Sequence, residues 1–124
     1  NLSEEERAVA PASEIPILVQ RGAQLLENDL SHAWTLGELA SKLHVNRHHL
    51  ARLFSQHTGL APMAYLARCR AERAAGLLLQ THEPMGEIAL RVGWIDPNLF
   101  ARRFKAHFGL SPTQYRNRFA REAS

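Results

Sequence analysis

Two stretches of this chain repeat one another, and the repetition limits the folds open to it more than any other feature. Gly37, Glu38 and Ala40 recur 49 positions later as Gly86, Glu87 and Ala89. Arg52, Phe54, His57, Gly59, Leu60, Pro62 and Tyr65 recur 50 positions later as Arg102, Phe104, His107, Gly109, Leu110, Pro112 and Tyr115. Identities in two collinear blocks mark two copies of one supersecondary unit, the second with one extra residue in its turn.

The spacing of apolar residues predicts helices throughout. Ile15, Leu18, Val19, Gly22, Leu25, Leu26 and Leu30 share one face of a first helix, with Pro16 suited to its first turn. Thr35, followed three residues on by Glu38, has the pattern of a capping box and starts a short second helix through Leu36, Leu39, Ala40 and Leu43. Asn46 caps a third helix, which turns Leu50, Leu53 and Phe54 inward and stops at Gly59. Pro62 to Gln80 reads as one long helix with Tyr65, Leu66, Cys69, Ala74, Leu77 and Leu78 on its apolar side. No window alternates with period two between hairpin turns, so the expected class is all-α.

Each copy contains a short helix, a tight turn and a second helix, with a small alanine (Ala40, Ala89) where the two helices cross closely. That is the helix-turn-helix pattern, whose second helix enters the DNA major groove. The turns are His44, Val45, Asn46 and Gly93, Trp94, Ile95, Asp96, with Asn46 and Asp96 as N-caps. The expected organisation is an acidic leader or interdomain linker over 1–14 and a DNA-binding domain over 15–121. Within that domain, helix-turn-helix subdomains at about 35–57 and about 84–108 are joined by a linker helix at about 62–80. Such a helix is roughly 28 Å long at ~1.5 Å per residue, a length that would let the two units reach successive major grooves, about 34 Å apart.

Charge agrees with a polyanionic partner. The net formal charge is +3, but residues 30–121 hold thirteen Lys or Arg against five acids, whereas residues 1–29 hold two bases against six acids. A basic body attracts phosphate through counterion release; a merely basic surface is the alternative on charge alone. The leader, opening on Asn1 with Glu4, Glu5 and Glu6, reads as the upstream edge of one domain of a longer protein, or as a trimmed end. No apolar run approaches the ~18 residues needed to cross a bilayer, and no signal peptide is expected. The single Cys69 excludes an internal disulfide and fits the reducing cytoplasm.

These residues resemble the AraC/XylS transcriptional regulators over about 15–118. The likeness lies in Leu39-Ala40, the Leu50 to Phe54 segment, Gly59 with Tyr65-Leu66, and Arg70 through Ala74 to Leu77-Leu78. It is most specific at Ile88-Ala89, Gly93-Trp94, Asp96, Phe100, Arg102, Phe104-Lys105, Gly109, Ser111-Pro112 and Tyr115-Arg116. Trp94 stands where the family more often shows Phe. The resemblance implies two helix-turn-helix subdomains on promoter DNA regulating transcription, commonly as an activator. It also implies RNA polymerase and an upstream sensor or dimerisation domain as partners.

Independently of the family, the helical wheel names the outward residues. On the first recognition helix they are Arg47, His48, Ala51, Arg52 and Ser55. On the second, with Phe100, Phe104 and Phe108 inward, they are Pro97, Asn98, Ala101, Arg102 and Lys105. Arg reads guanine O6 and N7 with two hydrogen bonds and Asn does the same for adenine, so His48, Arg52, Asn98 and Arg102 are the base-reading candidates. The resemblance implies base contacts at the same positions. Arg47 and Lys105 are expected to grip phosphate, and Arg103, in place of the apolar Leu53 of the first copy, is expected to extend toward solvent or phosphate.

Catalysis finds no support. There is no Gly-rich phosphate loop, no Gly-x-Ser-x-Gly elbow and no carboxylate pair placed for acid and base work. His44, His48 and His49 span a turn with no Cys or acidic residue beside them, which argues against zinc, and Cys69 falls on an apolar face. No cofactor is expected. A helical protein-interaction module is the competing class. It would place an apolar stripe on the two recognition helices, where this sequence has Arg, His, Asn, Lys and Ala.

Overall fold

A computed structural model of the chain describes residues 17–123; the acidic leader, Ile15 and Pro16 lie outside the described residues. Seven helices and no strand occur among the described residues. They are α1 (17–28), α2 (Leu36–Lys42), α3 (Arg47–Thr58), α4 (Pro62–Gln80), α5 (Met85–Val92), α6 (Pro97–Phe108) and α7 (Pro112–Ala123). They form two compact units. The first holds α1, α2, α3 and the start of α4 through Tyr65; the second holds Leu30–Ala33 and the chain from Leu66 onward.

The first unit closes over Val19, Leu26, Leu39, Ala40, Leu50, Leu53 and Phe54, all buried. Gly22 lets α1 approach α3, because a Cβ there would lie 3.2 Å from the Phe54 ring. The expected face of α1 is therefore met at Val19, Gly22 and Leu26, with Leu18 and Leu25 half-buried. Leu30 departs from the expectation: α1 ends at residue 28, and Leu30 lies in the following turn. The chain leaves the helix because its next carbonyls find partners elsewhere. Asp29 O accepts from Trp34 Nε1 at 2.8 Å, and Leu30 O and His32 O accept from Arg70 Nε and Nη2, each at 2.8 Å.

The second unit packs Ala71, Ala74, Ala75, Leu77 and Leu78 of α4 against Ile88, Ala89, Val92, Trp94, Phe100 and Phe104. Cys69 is half-buried rather than enclosed. α7 is capped reciprocally, Gln114 N donating to Ser111 Oγ at 3.1 Å and Ser111 N to Gln114 Oε1 at 3.0 Å, with Pro112 at the first helical position where its missing N–H costs nothing.

The repeat is structural as well as sequential. Thr35 Oγ1 accepts from Glu38 N at 3.1 Å, Asn46 Oδ1 from His48 N at 2.8 Å, and Asp96 Oδ1 from Asn98 N at 2.9 Å. Val45 N reaches back to Ala40 O at 3.0 Å, and its counterpart Trp94 N to Ala89 O at 2.8 Å. Phe54 meets Tyr65 edge-on with centroids 5.1 Å apart, and Phe104 meets Tyr115 edge-on at 5.3 Å. Such pairs contribute about 0.5–1.5 kcal/mol beyond their burial. The extra residue of the second copy is Ile95, which leaves the Trp94 bond in register and projects into solvent, 86% exposed.

The residue that turns the chain is left-handed in both copies, His44 at φ +58 and Gly93 at φ +111. Only the second must be glycine. A Cβ on Gly93 would come within 2.6 Å of Arg70 Nε and 2.7 Å of Leu30 O, inside the hydrogen bond that joins them. At Gly59, by contrast, a Cβ meets nothing within 4 Å. Gly59→Ala should therefore cost only the left-handed backbone penalty of about 1–2 kcal/mol, and Gly93→Ala at least twice that, because Arg70 or the Leu30 carbonyl must move as well. Equilibrium denaturant unfolding of the two variants measures the difference, and equal losses would contradict the crowding at Gly93.

Candidate nucleic-acid interface

In each unit the second helix of the hairpin shows one apolar and one polar side. α3 buries Leu50, Leu53 and Phe54 and exposes Arg47, His48, Arg52 and Ser55. α6 buries Phe100 and Phe104 and exposes Pro97, Asn98, Arg102 and Lys105. Every base-reading and phosphate candidate is thus solvent-exposed on the helix expected for it. Three of them (Arg47, His48, Arg52) are brought together on α3 and three (Asn98, Arg102, Lys105) on α6. Ala51 and Ala101 are half-buried, set back between the longer side chains. Phe108 is half-buried against the second core.

Local sequence explains these placements. Asn46 and Asp96 satisfy first-turn N–H groups, so both helices begin in a defined register. Both end at a left-handed glycine, Gly59 N donating to Ser55 O at 2.9 Å and Gly109 N to Lys105 O at 2.7 Å. The aliphatic part of Arg47 runs beside Gly37 at the start of α2, 3.6 Å from where a Cβ on that glycine would sit. Arg103 is exposed where Leu53 is buried, in agreement with the outward path expected for it. It lines an open groove with Leu99, Arg102 and Ala106.

The outward stripe expected from helical periodicity left out three exposed residues on α3, His49, Gln56 and His57. His49 Nδ1 lies 3.2 Å from Arg52 Nη2, a pairing that the i, i+3 spacing would have allowed one to look for.

Not every arginine of the basic body faces outward. Arg70 is half-buried, bound to two carbonyls and 5.9 Å above the Trp94 ring; desolvation by burial lowers its pKa. Arg116 donates from Nε to Leu78 O at 2.9 Å, from Nη1 to Glu83 O at 2.8 Å and from Nη2 to Thr81 O at 3.2 Å. It thereby fastens α7 to the end of α4 and the turn beyond. Arg91 pairs with Glu83. Charge counting had no means of separating these from surface cations, because the difference lies in which carbonyls the fold brings within reach.

No group of three or more His, Cys, Asp or Glu that could hold a metal occurs among the described residues. None of the described helices is long and apolar enough to cross a membrane.

A helix-turn-helix domain family matches residues 39–118, a span that runs from within α2 into α7 and includes α3 and the whole second hairpin, and the chain belongs to it. Within that class it is a member of the AraC/XylS family. It is similar to the lactose operon transcription activator of Staphylococcus xylosus, with 30% identity over 102 residues, 82% of this chain and 37% of the other. Among solved structures, the C-terminal domain of AraT, a response regulator from Geobacillus stearothermophilus, matches with a TM-score of 0.78 at 38% identity, covering 81% of this chain and 84% of that one. The DNA-binding domain of AdpA, a global transcriptional factor solved in complex with a target DNA, matches with a TM-score of 0.79 at 25% identity, covering 84% and 94%. The chain spans 40% or less of the length of the curated relatives it matches.

The division between inward and outward arginines has a measurable consequence. Arg116→Ala leaves three carbonyls without their charged donor and should lower stability by about 2–4 kcal/mol, with Lys a poor substitute because one ammonium cannot fork across all three. Arg52→Ala and Arg102→Ala should stay within about 0.5 kcal/mol of the parent, as exposed sites do. Thermal or denaturant melts of the four variants test this, and a stable Arg116→Ala protein would refute the assignment.

Proposed function

We propose that this chain is a sequence-specific double-stranded DNA-binding domain that regulates transcription, α3 and α6 each presenting its exposed side to base edges in a major groove. The observation that carries the reading is the pair of N-capped helices whose buried apolar sides are backed by exposed Arg, His, Asn and Lys. A protein-docking helix would show apolar residues there instead. The likeness to a DNA-binding domain solved on its target supports the same reading.

In this proposal Arg52 and Arg102 donate to guanine O6 and N7, Asn98 pairs with adenine, and His48 contacts a base edge from the first turn of α3. Arg47 and Lys105 hold phosphate and set register. The stripes of α3 and α6 differ, so the preferred site is non-palindromic and one chain suffices to read it. Residues 15–121 act as the DNA-binding part of a longer regulator. Its sensor or dimerisation domain lies upstream, and RNA polymerase is its partner at an activated promoter.

Selection of binding sites from random duplexes tests the class. Affinity for the selected site should fall with salt at a slope of about −0.9 per phosphate contact, and a flat titration between low and physiological salt would overturn the DNA reading. Arg47→Ala should weaken selected and random duplexes alike. Arg52→Ala should cost about 1–3 kcal/mol on the selected site and relax one base position. Equal losses on both duplexes for both variants would contradict the separation of phosphate grip from base reading.

A further inference from the structure

We propose that His49 is a positioning residue that holds Arg52 ready for base reading, and that the second unit has no equivalent device. The inference rests on the DNA reading above. Arg52 Nη2 and His49 Nδ1 are 3.2 Å apart. A guanidinium carries donors only, so Nδ1 is the acceptor and the ring proton sits on Nε2. Nη2 bears two hydrogens; one goes to His49, and the other, with those of Nη1, remains for guanine O6 and N7.

Neither side chain holds the fold together. Both are exposed, and α3 is anchored from its other side by Leu50, Leu53 and Phe54. His49 is itself fixed at the backbone, its N–H lying 3.4 Å from Asn46 Oδ1. The cap, the acceptor and the reader thus follow at positions 46, 49 and 52, on one side of the helix at i, i+3 spacing. An unrestrained arginine must give up rotamer freedom when it engages a base, whereas one already held loses less.

The repeat supplies the comparison. At an offset of 50, Arg52 becomes Arg102 and His49 becomes Leu99, which has no acceptor. Arg102 lines an open groove with Leu99, Arg103 and Ala106, and makes no side-chain hydrogen bond among the described residues. The two units therefore present the same base-reading residue in two states, one oriented in advance and one free.

The test uses the whole chain, the duplex selected from random sequences, and a second duplex changed at the one base pair to which Arg52→Ala is indifferent. The ratio of the two affinities measures discrimination at that pair. His49→Leu, which copies the second unit, should lower the ratio by roughly three- to tenfold while leaving random-DNA affinity and the melting temperature unchanged. His49→Gln, which restores an acceptor, should bring the ratio back toward the parent value. Full discrimination in the Leu variant would overturn the proposal. So would a Gln variant no better than Leu, or a loss in the Leu variant equal on selected and random DNA, which would make His49 an ordinary DNA contact. If the parent chain selects no duplex, the DNA reading falls first and the role of His49 with it.

Discussion

The turn between the paired helices is the constraint on which the rest of each unit depends. In both copies a residue in left-handed conformation, His44 or Gly93, reverses the chain, and the next N–H bonds back to a buried alanine carbonyl, Ala40 or Ala89. Those alanines have no side chain beyond Cβ to hold the helices apart. The hairpin angle is therefore set within a few residues, and it decides which side of α3 or α6 is left in water. Phe54 with Tyr65 and Phe104 with Tyr115 lock the other side of the same helices.

The two turns use this geometry under different pressures. His44 tolerates its positive φ because histidine is among the side chains that enter the left-handed region more readily than most. Gly93 has no such freedom, since the Arg70 guanidinium occupies the space where its Cβ would be and ties Leu30 and His32 into the second unit. A half-buried arginine is tolerable there because carbonyls replace the water it loses. Arg116 does the same for the turn after α4. The basic character of the chain thus has two uses, fastening turns from inside and presenting charge outside.

The two copies share a frame and differ in much of what they expose. Both hairpins keep the buried alanine (Ala40, Ala89), the Phe–Tyr pair (Phe54 with Tyr65, Phe104 with Tyr115) and the glycine that ends the second helix (Gly59, Gly109), while Val45 and Leu50 are replaced by Trp94 and Phe100 in the second copy. On the exposed side Arg52 and Arg102 match, but Arg47, His48 and Ser55 stand against Pro97, Asn98 and Lys105. Positions buried in both copies exchange one apolar side chain for another, because an unpaired polar group there would be penalised by desolvation. The outward stripe carries no packing constraint and is free to acquire a different chemistry in each copy.

Much of this was legible in the sequence because it depends on local physics. Caps at Thr35, Asn46 and Asp96, the glycine ends of α3 and α6, and the span of α4 follow from residue type and apolar period, which act within a few residues. The outward positions of Arg47, His48, Arg52, Asn98, Arg102 and Lys105 followed from the same period. What the tertiary structure alone decided are contacts between residues far apart in sequence. The end of α1 before Leu30, the inward turn of Arg70 and Arg116, the obligate glycine at 93 and the location of the extra residue at Ile95 are of this kind. Each depends on which carbonyl or side chain the folded chain brings within about 3 Å, a distance that no periodicity along the sequence encodes.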